Sequence, residues 1–135
     1  MKKTIYILLL LCTLFTLCSC GKYVKSYAAT FLITSCYQDE GSMKFTTFKG
    51  KYYFKLRRDN SPEYTLDIDA SLKEGTMNIY IGIDGDKELL CTVNGGDVLD
   101  ETIKLDSKYN NKQTIYIILE STNKCVDGDF EFEYN

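Results

Sequence analysis

GTMNIYIGIDGD, residues 75 to 86, decides the fold class. Met77, Ile79, Ile81 and Ile83 fall on one face of an extended chain, and Thr76, Asn78, Tyr80 and Gly82 on the other, because successive side chains of a strand point to opposite faces. Asp84, Gly85 and Asp86 then supply the residues a tight strand connection prefers. A strand buried on one face and wet on the other is the simplest reading.

The same period of two runs outward in both directions. In YTLDIDASL (64 to 72) Tyr64, Leu66, Ile68, Ala70 and Leu72 face in, while Thr65, Asp67, Asp69 and Ser71 face out. KYYFKLR (51 to 57) points Tyr52, Phe54 and Leu56 inward, TIKLD (102 to 106) Ile103 and Leu105, and DFEFEY (129 to 134) Phe130, Phe132 and Tyr134. QTIYIILES (113 to 121) is apolar at Tyr116 and Ile118 as well as at Ile115, Ile117 and Leu119, so it reads as a central strand covered on both faces. ATFLITSC (29 to 36) and MKFTTF (43 to 48) alternate more weakly. Turn residues separate these runs at 59 to 62, 73 to 75, 84 to 86, 94 to 97, 109 to 111 and 127 to 128. With no helical stripe after Ala28, the expectation is all-β: an antiparallel β-sandwich, jelly-roll-like, of about eight strands. If 52 to 57 and 64 to 72 form a hairpin, parity puts Lys55 or Arg57 opposite Asp67; a Greek-key connection puts them in different sheets.

Ahead of the strands stands a different kind of segment. Met1, Lys2 and Lys3 precede an apolar run from Ile5 to Leu17, which as a helix is about 20 Å long, against the roughly 20 residues needed to span a bilayer. This is the anatomy of a cleaved signal helix. Leu17-Cys18-Ser19-Cys20 then resembles the lipobox of bacterial lipoproteins, and the resemblance implies a diacylglycerol on Cys20 and an extracytoplasmic location, anchored to the bacterial cell membrane or outer membrane. The expected divisions are a signal peptide (1 to 19), a lipidated tether (20 to 27) and one β-sandwich domain (28 to 135).

Composition narrows the function. Losing Lys2 and Lys3 with the signal leaves 14 basic against 19 acidic residues, a balance unsuited to nucleic acid, where phosphate neutralisation supplies most of the affinity. The chain has no histidine, which removes Ser-His-Asp and Cys-His catalysis and most zinc chemistry, so no enzyme is expected. Cys36, Cys91 and Cys125 allow at most one disulfide; Cys91 with Cys125 is the pairing to look for, against three free thiols acting as small hydrophobes.

The order YFKL, YTLDI, MNIYIGIDGD, TIKL, TIYIIL and GDFEFEY resembles the pre-peptidase C-terminal type of bacterial β-sandwich over residues 50 to 135. That resemblance implies an accessory jelly roll like those that bind carbohydrate or protein, and carries over no functional residue.

Two candidate sites come from the residues themselves. Tyr53 and Tyr80, outward with Asp67 and Asp69, make a polar-aromatic surface suited to a carbohydrate or peptide. Asp84, Asp86 and Glu88 offer oxygen ligands for a structural calcium ion, the one cofactor considered, although Asp and Gly are also ordinary turn residues. Asp97, Asp100 and Glu101, and Asp127 with Asp129, read the same way. The expected function is a non-catalytic binding module on a lipid anchor; the alternative is a structural or protective envelope lipoprotein that binds or inhibits a protein partner.

Overall fold

The computed structural model describes residues 23–58, 63–109 and 112–135. The expected signal helix and lipobox, Cys20 included, lie outside them. Among the described residues eight strands form: β1 (Ser26–Thr30), β2 (Ile33–Tyr37), β3 (Glu40–Arg57), β4 (Thr65–Glu74), β5 (Thr76–Ile83), β6 (Asp86–Asn94), β7 (Val98–Lys104) and β8 (Thr114–Tyr134), with one 3-10 turn at Ser107–Tyr109. Every pairing is antiparallel, so the all-β, antiparallel class expected from the alternation is the one found.

The registers reveal five long lines rather than eight separate strands. β1 and β2 lie end to end along β3, with Ser26 facing Lys51 and Tyr37 facing Glu40. β4 and β5 together run beside β8, from Leu66 opposite Tyr134 to Gly82 opposite Tyr116. On their other side β7 and β6 continue one another, from Thr65 opposite Lys104 to Ile83 opposite Asp86. Each line bends near its middle, and the bends form a row across the sheet: Phe31 (φ 50°), Gly50 (φ 130°), residues 121 to 125, Gly75 (φ 98°) and Gly96 (φ 90°). In β8 the irregularity is largest, since Phe48 faces Cys125 while Gly50 faces Ser121. Such bulges raise local twist and turn a sheet through a corner.

Folding across this row yields two layers. The first holds β3 from residue 50, β8 to residue 121, β5 and β6; the second holds β2, the remainder of β3 and β8, β4 and β7; β1 runs across the corner, from Ser26 opposite Lys51 to Thr30 opposite Thr47. Their inward residues form one core, in which Phe54 of the first layer meets Phe132 of the second with ring centroids 5.9 Å apart. Gly41 makes that approach possible, because a Cβ there would lie 3.1 Å from the Phe54 ring. At Gly75 a Cβ would lie 2.8 Å from the backbone of Lys124 and Cys125, so only glycine fits where β4 turns into β5 beside β8. The far end is tied across the layers: Arg57 N–H donates to Gln38 O at 2.7 Å, and Tyr134 Oη–H donates to Lys112 O at 2.6 Å.

Four expectations change. Residues 43 to 48 and 51 to 57 belong to one strand, as do 113 to 121 and 129 to 134; Asp127 (φ 47°) and Gly128 sit inside β8 rather than in a reversing turn. Residues suited to a turn are equally suited to a bulge. The run 29 to 36 divides at Phe31 into β1 and β2. β6 escapes the alternation test because Leu90 is an extra residue: Ile79 faces Cys91 but Tyr80 faces Leu89. The hairpin of 52 to 57 with 64 to 72 does not form. β8 lies between β3 and β4, so Lys55 faces Tyr116, while Asp67 faces Thr102 and Glu133.

Candidate functional site

Outward-pointing residues of the two layers make two surfaces of different chemistry. On the first layer Tyr53, Ile118, Tyr80 and Leu89 form a row across β3, β8, β5 and β6, flanked by Lys51, Glu120 and Asn78 on one side and Lys55, Tyr116 and Gly82 on the other. Ile118 is buried there, as expected for a central strand covered on both faces. Much of the cover is the chain itself. Tyr23 lies over Gly82, its ring 4.6 Å from that of Tyr116 and 6.2 Å from that of Tyr53. Its hydroxyl donates to Asp86 O at 2.7 Å and accepts from Gly85 N–H at 3.1 Å. Lys25 stands over the Tyr53 ring at 4.9 Å and Lys87 over the Tyr80 ring at 4.5 Å, while Lys87 also pairs with Glu120. Within the expected tether of 20 to 27, the described residues are docked on the sheet from Tyr23 and form strand from Ser26.

On the second layer the outward residues are acidic. Glu40, Glu133, Asp67 and Thr102 make one row across β3, β8, β4 and β7; Ser42, Glu131, Asp69 and Asp100 make the next; Lys44, Asp129, Ser71 and Val98 the third. At the β2 edge Tyr37, 71% exposed, and Ser35 border a shallow depression of about 440 Å³ that runs over the first two rows. Asp67 is held at both oxygens, by the Thr102 hydroxyl at 2.6 Å and the Asn135 amide at 3.1 Å. Asp69, directly opposite Asp100, has its carboxyl pushed above the usual value, chiefly by that like charge, then by desolvation and by Asp67. Glu133 is pushed up too, by desolvation first and then by Asp39, Asp67 and Glu40. Carboxylates set about 4.8 Å apart across strands repel, and a ligand carrying positive charge or hydrogen-bond donors relieves that repulsion.

These placements divide the expected ligand surface. Tyr53 and Tyr80 are together on the first layer, Asp67 and Asp69 together on the second, and the two pairs look out on opposite sides of the sandwich. The bend explains the separation. The partners of Asp67 and Asp69 were not found from sequence, although the alternating Asp129, Glu131 and Glu133 showed a wet acidic face; only the insertion of β8 beside β4 brings the two together.

Asp84 and Gly85 form the two-residue β5–β6 turn with φ of 53° and 91°, the mirror-image turn that suits the twist of a hairpin. Asp84 pairs with Lys112 at 3.8 Å and Glu88 with Lys108 at 2.5 Å. Among the described residues no three His, Cys, Asp or Glu side chains are grouped to hold a metal ion. Cys36, Cys91 and Cys125 are free thiols, so the Cys91–Cys125 pairing is not made. Cys125 is fully buried at the bend and donates from Sγ to Thr76 O at 3.5 Å, and burial pushes the Cys91 thiol up to about 11.

No family model matches the chain, so nothing supports the expected resemblance to the pre-peptidase C-terminal type. No curated protein matches it either. Among solved structures it is similar to a CBM4 carbohydrate-binding module (10% identity, 80% of this chain and 81% of that one, TM-score 0.44). It is also similar to the xylan-binding module CBM15 (8% identity, 83% and 92%, TM-score 0.40) and to Drosophila melanogaster CENP-C (13% identity, 87% and 83%, TM-score 0.34). These are likenesses of strand arrangement, and the functional argument rests on the residues of this chain.

Proposed function

We propose that this chain is a lipid-anchored, extracytoplasmic, non-catalytic binding module that takes a positively charged peptide segment on the acidic face of the second layer. One observation carries the ligand class: Glu40, Asp67, Asp69, Asp100, Asp129, Glu131 and Glu133 share one face with Lys44, while Lys104 and the Asp127-paired Lys73 stand at its ends. The like charge of Asp100 raises the Asp69 carboxyl, and desolvation followed by the charges of Asp39, Asp67 and Glu40 raises that of Glu133, so a cationic ligand gains from a field already in place. The first layer is a poorer candidate, because Tyr23, Lys25 and Lys87 occupy its aromatic row. A second reading, a carbohydrate ligand, is favoured by the exposed Tyr37 ring beside the hydroxyls of Ser35, Ser42 and Thr102, which offers a stacking surface next to hydrogen-bonding groups.

Calorimetric titration with a lysine-rich peptide, alongside a glycan array, separates the two. Peptide binding that weakens with ionic strength and drops at least fivefold in Asp69→Asn/Glu131→Gln supports the first reading. Glycan binding lost in Tyr37→Ala supports the second. Neither ligand binding, or binding indifferent to these substitutions, refutes the acidic face as the site. Anchoring has its own test: Cys20→Ala should release the protein from the membrane fraction, and globomycin should cause precursor to accumulate.

A further inference from the structure

We infer that the outer face of the first layer rests on an anionic lipid surface, which holds the acidic face of the second layer away from it; this rests on the proposed lipid at Cys20. Three observations converge. Tyr23 is fixed on that face by two hydrogen bonds and two ring contacts. Cys20 is three residues earlier, and three residues of extended chain reach only about 10 Å. A lipid at Cys20 therefore keeps the bilayer surface close to the face that Tyr23 occupies.

The charges on that face suit the contact. Lys25, Lys51, Lys55, Arg57 and Lys87 lie on or beside it, with Glu120 between Lys51 and Lys87 and with Asp84 and Asp86 at the β5–β6 turn beside Tyr23. Lys55 borders an open hollow with Asp84, Lys112, Thr114 and Tyr116. Exposed Val24 and Leu89 add apolar contacts at the same surface. The opposite face, with seven carboxylates against Lys44 and Lys104, would be repelled by the same headgroups. Basic residues close to an anionic leaflet favour it by about fivefold each, so even two or three fix an orientation once the anchor has brought the domain to the surface. The domain is thus electrically two-sided.

Full-length lipidated protein, reconstituted in vesicles of phosphatidylcholine alone or of phosphatidylcholine with phosphatidylglycerol, tests this by amine acylation and peptide mass spectrometry. Lys51 and Lys55 should be acylated at least about fivefold more slowly in the anionic vesicles, whereas Lys44 and Lys104 on the second layer should react equally in both. Lys55→Glu/Arg57→Glu should abolish the protection, and Tyr23→Ala should weaken it while the protein still pellets with the vesicles. Pelleted protein whose two faces react alike in both lipids overturns the orientation and leaves the anchor standing. Protein that does not pellet overturns the anchor and the orientation together.

Discussion

The row of bends makes a quantitative prediction, because three glycines in or beside it separate two physical costs. Gly96 has φ of 90° with nothing within 4 Å of where a Cβ would stand, so Gly96→Ala measures backbone strain alone. Gly95 is not in the positive-φ region, but a Cβ would lie 2.9 Å from Glu74 Cα and Lys73 O, so Gly95→Ala measures crowding alone. Gly75 combines both: φ of 98°, and Cβ distances of 2.8 Å to Cys125 Cα and Lys124 O. Strain in a left-handed alanine costs about 1–2 kcal/mol, and crowding against backbone that cannot rotate away about 1–3 kcal/mol. Gly75→Ala should then lose about 2–5 kcal/mol, a large share of the roughly 5–15 kcal/mol that a domain possesses. Urea unfolding followed by far-UV circular dichroism reads these losses as shifts in midpoint at unchanged slope. The order should be Gly75→Ala above Gly95→Ala and Gly96→Ala, and a Gly75→Ala chain too unstable to fold agrees with it. A midpoint for Gly75→Ala no lower than that of Gly96→Ala would refute the close approach of β4, β5 and β8 at the bend.

Two further outcomes follow from the ionisable groups. Because Asp100 raises the Asp69 carboxyl, the folded state holds more protons than the unfolded chain between the usual carboxylate value and the raised one. Stability therefore falls as pH rises through that window. Asp100→Asn should be more stable than the parent above it, with the gap closing below it and narrowing in high salt; a pH-independent gap in urea titrations would contradict the pairing. The thiols should react in order of exposure. At pH 8 a Cys91 thiol with its value near 11 is about one part in a thousand thiolate, and Cys125 is buried, so iodoacetamide should modify Cys36 first and the other two only in denaturant. Equal native rates at Cys36 and Cys91 would count against the fold around β6.

Alternation along the chain carried the strand class and much of the core, because facing in or out is written at every second residue. Leu66, Ile68, Ala70, Leu72, Met77, Ile79 and Ile81 are all buried as their parity requires. Strand continuity was hidden for a specific reason. Asp127, Gly128 and Gly75 are the residues of a reversal, and they serve equally at a bend where the chain keeps going. Partnership was hidden as well, since nothing local states that residues 114 to 134 return to lie between β3 and β4. The separation of Tyr53 and Tyr80 from Asp67 and Asp69 was hidden on both counts. All four point outward, but a bend lies between them, and outward on one side of it is the opposite direction on the other.

That same bend gives the domain its polarity. Along β3 the outward residues are Glu40, Ser42 and Lys44 before Gly50, and Lys51, Tyr53, Lys55 and Arg57 after it. Along β8 they are Tyr116, Ile118 and Glu120 before the irregularity, and Asp129, Glu131 and Glu133 after it. A flat sheet with these strands would carry acid at one end and base at the other of a single face. Folded in two, it presents them on opposite sides with an apolar core between, where a low dielectric screens them less than water would. The modest net charge of the chain thus says little about what approaches it. On the reading proposed above, a cationic segment would meet the seven carboxylates of the second layer and an anionic surface the lysines of the first, and the Tyr23 clamp sets which of the two sides residue 23 shares.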